Sequence, residues 1–588
     1  MEWQGILVIA LTVGALGTLV FTRISTHLVM MTALVLLSAS GILLPSEALA
    51  GFSNDGLVTV AALFIVAAGI HASGGIDLII HGLLGHPRTV RGAQLRLCTP
   101  VILLSGFLNN TPIVATLIPG VNAWARKLGI ASSKLMIPLS YAAIMGGTLT
   151  LIGTSTNLIV NSQYQTLTGN AGFPIFAITL IGLPVCLVGL LFMLWLFPRW
   201  LPDHRDGALF SDVREFTLEV AVAHDGPLVG KTVEQAGLRR LVKIYLVEIE
   251  RDGSIVTAVS SEEHLRGGDR LVFAGNTEAI SDLLRIKGIV PSTGDDRPAL
   301  SQAREERCLV EAALSPHSEC IGQTIRDSRF RDRYGAVILA VARGGERISG
   351  NLGTIKLRAG DTLLLEARPA FVTRQRYNKD FLLISDLDQE QPRHNRAYLA
   401  WAILLAIVIS ASTGMLSMLD ASLLGAGAIL ASGCCSLSQA HKSLDLNVLI
   451  TIGASFALGA AIYKTGVAAQ LAEQVLSISA GQAWLALVLA YMCVSLLTEI
   501  ITNNAAALMM LPIALEIAEK SHSAPEPFVF AVMMAASASF ATPLGYQTNL
   551  MVYGPGGYRF QDFLKVGIPM NIIVGVTSLI AITLIWPL

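Results

Sequence analysis

Two short polar clusters interrupt long apolar stretches of the chain, and they contain the residues best suited to bind small ions. The clusters lie inside the stretches 97–120 and 484–518 and read Asn109-Asn110-Thr111 and Thr502-Asn503-Asn504. A helix that starts after such a break presents free N–H groups and the positive end of its dipole, which attract anions. An asparagine amide donates to an anion and accepts a cation through its oxygen. The pattern therefore predicts an ion site at each break, centred on Asn110 and Asn503.

A second pair of polar clusters breaks apolar segments further along the chain. These clusters read Gly153-Thr154-Ser155-Thr156-Asn157 and Gly545-Tyr546-Gln547-Thr548-Asn549. Glycine lets a helix unwind, and the carbonyls that this exposes become ligands. In the alternative interpretation these polar residues only form hydrogen bonds between helices. The matching positions of four clusters favour a binding site.

The clusters recur because the chain contains an internal repeat. FIVAAGIHASGG (64–75) resembles FALGAAIYKTGV (456–467), and GTSTNLIVN (153–161) resembles GYQTNLMVY (545–553), both at a shift of 392 residues. NNTPIVATLIP (109–119) resembles TNNAAALMMLP (502–512) at a shift of 393 residues. A register that is maintained over several segments indicates two related halves, so Asn110 and Asn503 are equivalent residues.

The composition indicates a membrane protein. Hydrophobic residues make up 53% of the 588 positions and charged residues 14%, against about 25% charged residues in soluble domains. The formal net charge of −1 gives no reason to expect a nucleic-acid partner. Many basic residues fall on one side of the predicted spans, which places that side in the cytoplasm of a multi-pass protein of the cell inner (plasma) membrane; they include Arg88, Arg91, Arg96, Lys442, Arg559 and Lys565.

We predict an α-helical polytopic membrane protein with inverted repeats and an inserted pair of cytosolic α+β domains. Each half would contain five spans and one re-entrant hairpin, and an odd number of crossings inverts the second half. The predicted domains are the first transmembrane repeat with an inward hairpin (1–200), two insert domains (210–292 and 300–385) and the second repeat with an outward hairpin (396–588). The insert is itself duplicated, since LRGGDRLVFAG (265–275) resembles LRAGDTLLLEA (357–367).

With these motifs in place, the chain resembles the divalent anion–sodium symporters, the carriers of citrate, dicarboxylates and sulfate. Family members have a Ser-Asn-Thr motif at each hairpin tip, and both triplets here retain the central asparagine. The resemblance implies that Ser105 and Thr498, hydroxyl residues shortly before the triplets, help to bind sodium. It also implies sodium-coupled symport, an elevator-like movement of the hairpin domain, a homodimer in the lipid bilayer, and no cofactor besides the coupling ion.

The insert resembles tandem TrkA-C (RCK C-terminal) domains, which are regulatory ligand-binding modules of potassium channels and transporters. That resemblance implies a nucleotide-like regulatory ligand, while passive scaffolding is the competing interpretation. The dinucleotide motif GxGxxG does not follow a predicted strand, so an NAD-binding domain is not indicated.

The predicted function is symport of a small divalent anion, sulfate or a di- or tricarboxylate, with sodium. Residues expected to bind the anion are Asn109, Asn110, Thr111, Thr156, Thr502, Asn503, Asn504 and Thr548. Residues expected to bind sodium, the only metal predicted, are Ser105, Asn110, Gly153, Asn157, Thr498, Asn503, Gly545 and Asn549. A ligand-gated ion channel and a sodium/proton or metalloid-oxyanion antiporter remain open. An enzyme is not predicted, because the sequence contains no recognisable nucleophile–base pair or metal constellation.

Overall fold

The described part of the chain divides into two compact units. The computed structural model describes residues 3–22, 24–76, 84–203, 217–238, 244–251, 254–257, 262–275, 286–291, 308–315, 318–343, 346–348, 352–367, 371, 375, 380–386, 396–543 and 545–588. One unit comprises residues 1–203, 392–552 and 559–588, and the other comprises 204–391 and 553–558. The predicted domain limits at residues 210, 292 and 300 lie outside the described residues.

The first unit is helical. Its α-helices before the insert are α1 (Trp3–Phe21), α2 (Thr26–Ala39), α3 (Pro45–Leu49), α4 (Asp55–Ala72), α5 (Val90–Ser105), α6 (Asn110–Leu128), α7 (Met136–Gly146), α8 (Ser155–Thr168) and α9 (Thr179–Trp200). Those after it are α11 (Ala397–Ser412), α12 (Met418–Ala431), α13 (Leu437–Ser443), α14 (Leu446–Lys464), α15 (Val467–Ile478), α16 (Ala483–Thr498), α17 (Asn503–Lys520), α18 (Pro525–Ser537), α19 (Gln547–Tyr553) and α20 (Phe560–Ile585). Within the described residues of the insert lies one short α-helix, α10 (Phe330–Tyr334).

Several of these helices have the length and composition of membrane spans. Among the described residues, four segments are long and apolar enough to cross a bilayer: Pro45–Ala72, Thr179–Trp200, Leu446–Lys464 and Phe560–Ile585. A fifth is obtained if α15 and α16, which meet at 118°, are counted as one broken span. Apolar helices of 10–17 residues accompany them, including α2, α11, α12 and α18. A mostly helical chain with several such helices is typical of a multi-pass membrane protein.

Four breaks in this helical unit coincide with the polar clusters. Residues 106–109 separate α5 from α6, and residues 499–502 separate α16 from α17. Residues 147–154 separate α7 from α8, and residues 538–546 separate α18 from α19. We call the first pair the hairpin tips and the second pair the unwound loops. The arm α6 packs on α4 and α7, while α17 packs on α8, α14 and α18, so each tip belongs to a packed bundle.

The second unit contains two antiparallel sheets of the same design. The strands are β1 (Thr217–Val222), β2 (Ile244–Arg251), β3 (Ser254–Thr257), β4 (Arg270–Gly275), β5 (Ile289–Pro291), β6 (Cys308–Leu314), β7 (Ala336–Arg343), β8 (Glu346–Arg347), β9 (Thr362–Ala367) and β10 (Phe381–Asp386). Their orders are β3-β2-β4-β1-β5 and β8-β7-β9-β6-β10. Each sheet has a register shift at the equivalent place, after Leu246 in β2 and after Ile338 in β7.

One buried ion pair closes the same turn in both sheets. Arg251 donates from Nε and Nη2 to the carboxylate of Asp269 at 2.8 and 2.9 Å, and Arg343 does so to Asp361 at 2.7 Å for both bonds. Hydrogen bonding to these carboxylates raises the pKa of both arginines above its ordinary value. Both aspartates are fully buried, and a buried carboxylate needs such a partner. The Gly-Asp turns in the repeated segments 265–275 and 357–367 are therefore stabilised by charge-assisted pairs, each with two hydrogen bonds.

Candidate functional site

The first hairpin tip contains a cluster of three oxygen atoms that share a single hydroxyl proton. The Ser105 hydroxyl lies 2.5 Å from Oδ1 of Asn110 and 2.7 Å from the carbonyl oxygen of Ala143. A serine hydroxyl has one proton and can donate to only one of them. Ser105 and Asn110 are buried, so the remaining lone pairs are shielded from water. Convergent oxygens of this kind are the type of ligand that a small cation prefers.

The second tip repeats this arrangement. The Thr498 hydroxyl lies 2.9 Å from Oδ1 of Asn503 and 2.9 Å from the carbonyl oxygen of Ala536. Each of these residues follows its counterpart in the first cluster by 393 positions. Two oxygen clusters related by the repeat register are thus formed by corresponding elements, the end of one hairpin arm, the start of the next and the helix before the unwound loop.

An asparagine side chain braces each unwound loop. Nδ2 of Asn157 donates to the carbonyls of Gly147 and Thr150 at 3.3 and 3.2 Å. Nδ2 of Asn549 donates to the equivalent carbonyls, of Ser539 and Thr542, at 3.0 and 3.1 Å. These amides bridge carbonyl groups that no helix satisfies. The structure therefore gives both predicted ligands a part in fixing the shape of the loops.

Glycine is required where the first unwound loop passes the first tip. A Cβ atom on Gly153 would lie 2.6 Å from the carbonyl oxygen of Gly147 and 2.8 Å from that of Ser105. Carbon and oxygen atoms cannot approach so closely without displacement of the backbone. The lack of a side chain at Gly153 thus brings this loop against the residue that begins the first oxygen cluster.

The equivalent Gly545 is surrounded by side-chain oxygens. A Cβ atom there would lie 3.0 Å from Oε2 of Glu499, 3.1 Å from the Thr542 hydroxyl and closer still to the Ser539 hydroxyl. Ser539 is fully buried, and its hydroxyl oxygen has no hydrogen-bond partner within the described part of the chain. The second loop is consequently more polar than the first, in which Gly147 replaces Ser539.

Each hairpin tip also contacts the unwound loop of the other half. At the first tip, Nδ2 of Asn110 donates to the Tyr546 hydroxyl at 2.6 Å, and the Thr111 hydroxyl donates to Oε1 of Gln547 at 3.1 Å. At the second tip, Oδ1 of Asn504 accepts from the Thr156 hydroxyl at 2.9 Å.

The two contacts between a tip and the opposite loop follow the repeat register. The Ser155 hydroxyl lies 3.4 Å from Asn504, and Ser155 is the counterpart of Gln547, as Thr111 is of Asn504. The structure therefore brings both tips and both loops together in one region.

Three of the predicted anion-binding residues lie away from the hydrogen bonds that join tip and loop. Thr548 is fully buried and accepts from the Ser140 hydroxyl at 2.9 Å, whereas its counterpart Thr156 reaches the second tip. Thr502 is exposed. Asn109 lines a narrow, mainly apolar cleft that Ser155 also borders. Direct bonds between tip and loop thus involve Asn110, Thr111, Thr156 and Asn504.

Sequence reasoning missed Glu499, the carboxylate at the second tip. Its side chain accepts from the backbone N–H groups of Ala541 and Thr542 at 3.0 and 2.9 Å and from Nδ2 of Asn571 at 2.9 Å. These bonds join the tip to the second unwound loop and to α20. A charged residue directly after Thr498 in an apolar stretch was a usable signal, because charges inside membrane segments are rare and functional.

The chain is similar to known proteins over most of its length. The profile of the citrate transporter family matches residues 16–531 and, in a second match, residues 413–587. A putative sulfur deprivation response regulator of Chlamydomonas reinhardtii is 36% identical over 93% of this chain and 96% of its own length.

Two further relatives are described as transporters. An uncharacterized transporter of Synechocystis is 34% identical over 100% of this chain and 98% of its own length. Sodium/sulfate cotransporter 1 of Chlamydomonas reinhardtii is 27% identical over 97% of this chain and 89% of its own length. On this evidence the chain belongs to the citrate transporter family and is a multi-pass membrane transporter.

Proposed function

We propose that the protein is a secondary active transporter that couples the uptake of a small divalent anion, sulfate or a di- or tricarboxylate, to sodium. The observation that carries this proposal is the pair of equivalent oxygen clusters at Ser105 and Thr498, each with one hydroxyl proton facing two acceptor oxygens. Unwound carbonyls and side-chain oxygens at broken helices are the ligands that sodium takes in such transporters. Relatives named as sodium/sulfate cotransporters support the same coupling.

In this proposal the anion binds between the two tips, where helices α6 and α17 begin. Asn110, Thr111, Thr156, Asn503 and Asn504 supply neutral donors, with Asn109, Thr502 and Thr548 at the margin. No lysine or arginine occurs within the four motifs. Bound sodium and the helix dipoles then balance the charge of the anion. Since the anion would leave an uncompensated charge without sodium, binding of the two is cooperative.

We further propose that two inverted repeats of five spans and one re-entrant hairpin enclose this site. The hairpin domain moves like an elevator within a homodimer, and the insert lies in the cytoplasm of the plasma membrane. The repeat register of the tip contacts supports the inverted halves. The basic residues on one side of the spans support the orientation.

The insert would regulate transport by binding a nucleotide-like molecule on its TrkA-C-like domains. Support comes from two sheets with one strand order and one buried Arg–Asp pair each. Calorimetric titration of the full-length protein with nucleotides and cyclic dinucleotides tests this part. Heat exchange that is accompanied by a changed uptake rate supports regulation, and the absence of both contradicts it.

Uptake into proteoliposomes tests the transport proposal. Purified protein is reconstituted, and labelled sulfate and succinate are supplied with an inward gradient of sodium, potassium or choline. We expect uptake of at least one anion with sodium only. Equal uptake with potassium would refute sodium coupling, and no uptake of either anion would refute the substrate class. Replacement of Thr99 by Ala provides a control, because among the described residues its exposed hydroxyl bonds only to the Leu95 carbonyl of its own helix.

A further inference from the structure

Tyr546 makes the contact at the first tip different from the contact at the second tip. Its hydroxyl accepts from Asn110 at 2.6 Å. Thr154 is the residue that corresponds to Tyr546 in the repeat. The phenol thus reaches from the second loop to the first tip, at a place where the other half has only a threonine.

The neighbouring residue adds to this asymmetry. Gln547 accepts a hydrogen bond from the Thr111 hydroxyl at the first tip. The corresponding residue at the second tip is Ser155, which has a shorter side chain. Long side chains therefore cover the first tip, and short ones border the second.

The asparagines at the two tips are correspondingly unequal. Asn110 is buried, with its oxygen beside Ser105 and its nitrogen bonded to Tyr546. Asn503 is only half-buried. Its oxygen faces Thr498, and no hydrogen bond from its nitrogen occurs among the described residues. An anion consequently meets an open amide donor at Asn503, whereas the amide of the equivalent Asn110 is already engaged by Tyr546.

We infer that Tyr546, with Gln547, makes the site specific for a single compact oxyanion of the sulfate type and excludes extended dicarboxylates. An extended dicarboxylate has two charged groups that need donors at separate places, and each carboxylate that loses its donors is left unpaired at a large cost. Sulfate carries its charge on one centre and accepts from all sides, so it can bind between the tips without two separate sets of open donors. This inference rests on the proposed function and specifies its substrate.

Two variants at one position test the inference in proteoliposomes. Tyr546→Thr gives the second loop the residue that the first loop has and uncovers Asn110. Tyr546→Phe is the matched control, because the ring stays and only the hydroxyl is lost. We expect Tyr546→Thr to raise succinate uptake relative to sulfate by about tenfold, the gain expected from roughly one charge-assisted hydrogen bond. Tyr546→Phe frees the Asn110 amide but keeps the ring over the first tip, so we expect it to shift the preference less than Tyr546→Thr does.

The outcomes separate this inference from the proposed function. Sodium-dependent sulfate uptake by wild type, combined with an unchanged preference in Tyr546→Thr, overturns the inference only. Absence of sodium-dependent uptake of both anions in wild type overturns the proposed function. Competition provides a second measurement that does not depend on folding of the threonine variant. A hundredfold excess of unlabelled succinate should leave wild-type sulfate uptake unchanged, and inhibition would contradict the inference.

Discussion

Replacement of Ser105 by Ala is the most direct test of the first oxygen cluster. The change removes the hydroxyl that lies between Oδ1 of Asn110 and the carbonyl of Ala143. A bound sodium ion would lose one ligand, and one buried acceptor would lose its donor. A lost partner in a buried polar group costs about 1–3 kcal/mol. If that cost falls on the bound state, the sodium concentration for half-maximal uptake rises by roughly 5- to 150-fold.

The assay is sodium-dependent anion uptake at a saturating anion concentration. Sodium titrations of wild type, Ser105→Ala and Thr498→Ala give the half-saturation and the Hill coefficient for each cluster. We expect both variants to require more sodium and to show a Hill coefficient closer to one, since one of two cooperating sites is weakened. Thr99→Ala should match wild type, because the same residue class is removed from α5 away from the tip.

A measurement on the detergent-purified protein removes the dependence on transport. A ligand that binds the folded state raises its stability in proportion to the logarithm of its concentration over the dissociation constant. Sodium should therefore raise the melting temperature of wild type more than potassium does, and this difference should shrink in Ser105→Ala. An unchanged sodium half-saturation together with an unchanged sodium-specific stabilisation would remove Ser105 from the cation site.

Three further predictions concern other contacts. Gly153→Ala should abolish uptake and lower the melting temperature, because its methyl group would collide with two carbonyl oxygens. The control Gly120→Ala, with open space around its Cβ, should behave like wild type. An active Gly153→Ala protein would contradict the close approach. Glu499→Gln places an NH2 group where the carboxylate oxygens now accept three N–H bonds. We therefore expect the free energy of unfolding to fall by about 1–3 kcal/mol. Thermal denaturation measures this, and an unaltered denaturation curve would refute the prediction. Asp361→Asn should destabilise the insert by about 1–3 kcal/mol, since the partly exposed Arg343 loses its charged partner. Limited proteolysis of the full-length chain reports this, and unchanged cleavage would contradict it.

The positions of the breaks could be predicted from the sequence because polar runs inside apolar stretches are conspicuous. The repeat register added the equivalence of Asn110 and Asn503, and α6 and α17 begin at these residues. The carbonyl oxygens of Ala143 and Ala536 could not be predicted in the same way. A main-chain ligand leaves no trace in residue type, and any residue at those positions would provide it.

The pairing between tips and loops was also beyond reach of the sequence. Asn110 and Tyr546 are 436 positions apart, and hydropathy only indicates which segments are apolar, not which of them face each other. The repeat predicted that both loops behave alike. The structure departs from that expectation where unlike residues, Thr154 and Tyr546, occupy equivalent places.

The crossed bonds at the tips have a consequence for recombination between relatives. Thr111 bonds to Gln547 and Asn504 bonds to Ser155, so each tip has its partner in the opposite half of the gene. A chimera that joins the first half of this chain to the second half of a relative would separate both pairs of mutually adapted residues. A graft that transfers one tip together with the opposite loop keeps one pair intact. Transferring this site between relatives therefore requires exchange of two distant segments, a tip and the opposite loop, and exchange of one contiguous segment does not transfer it.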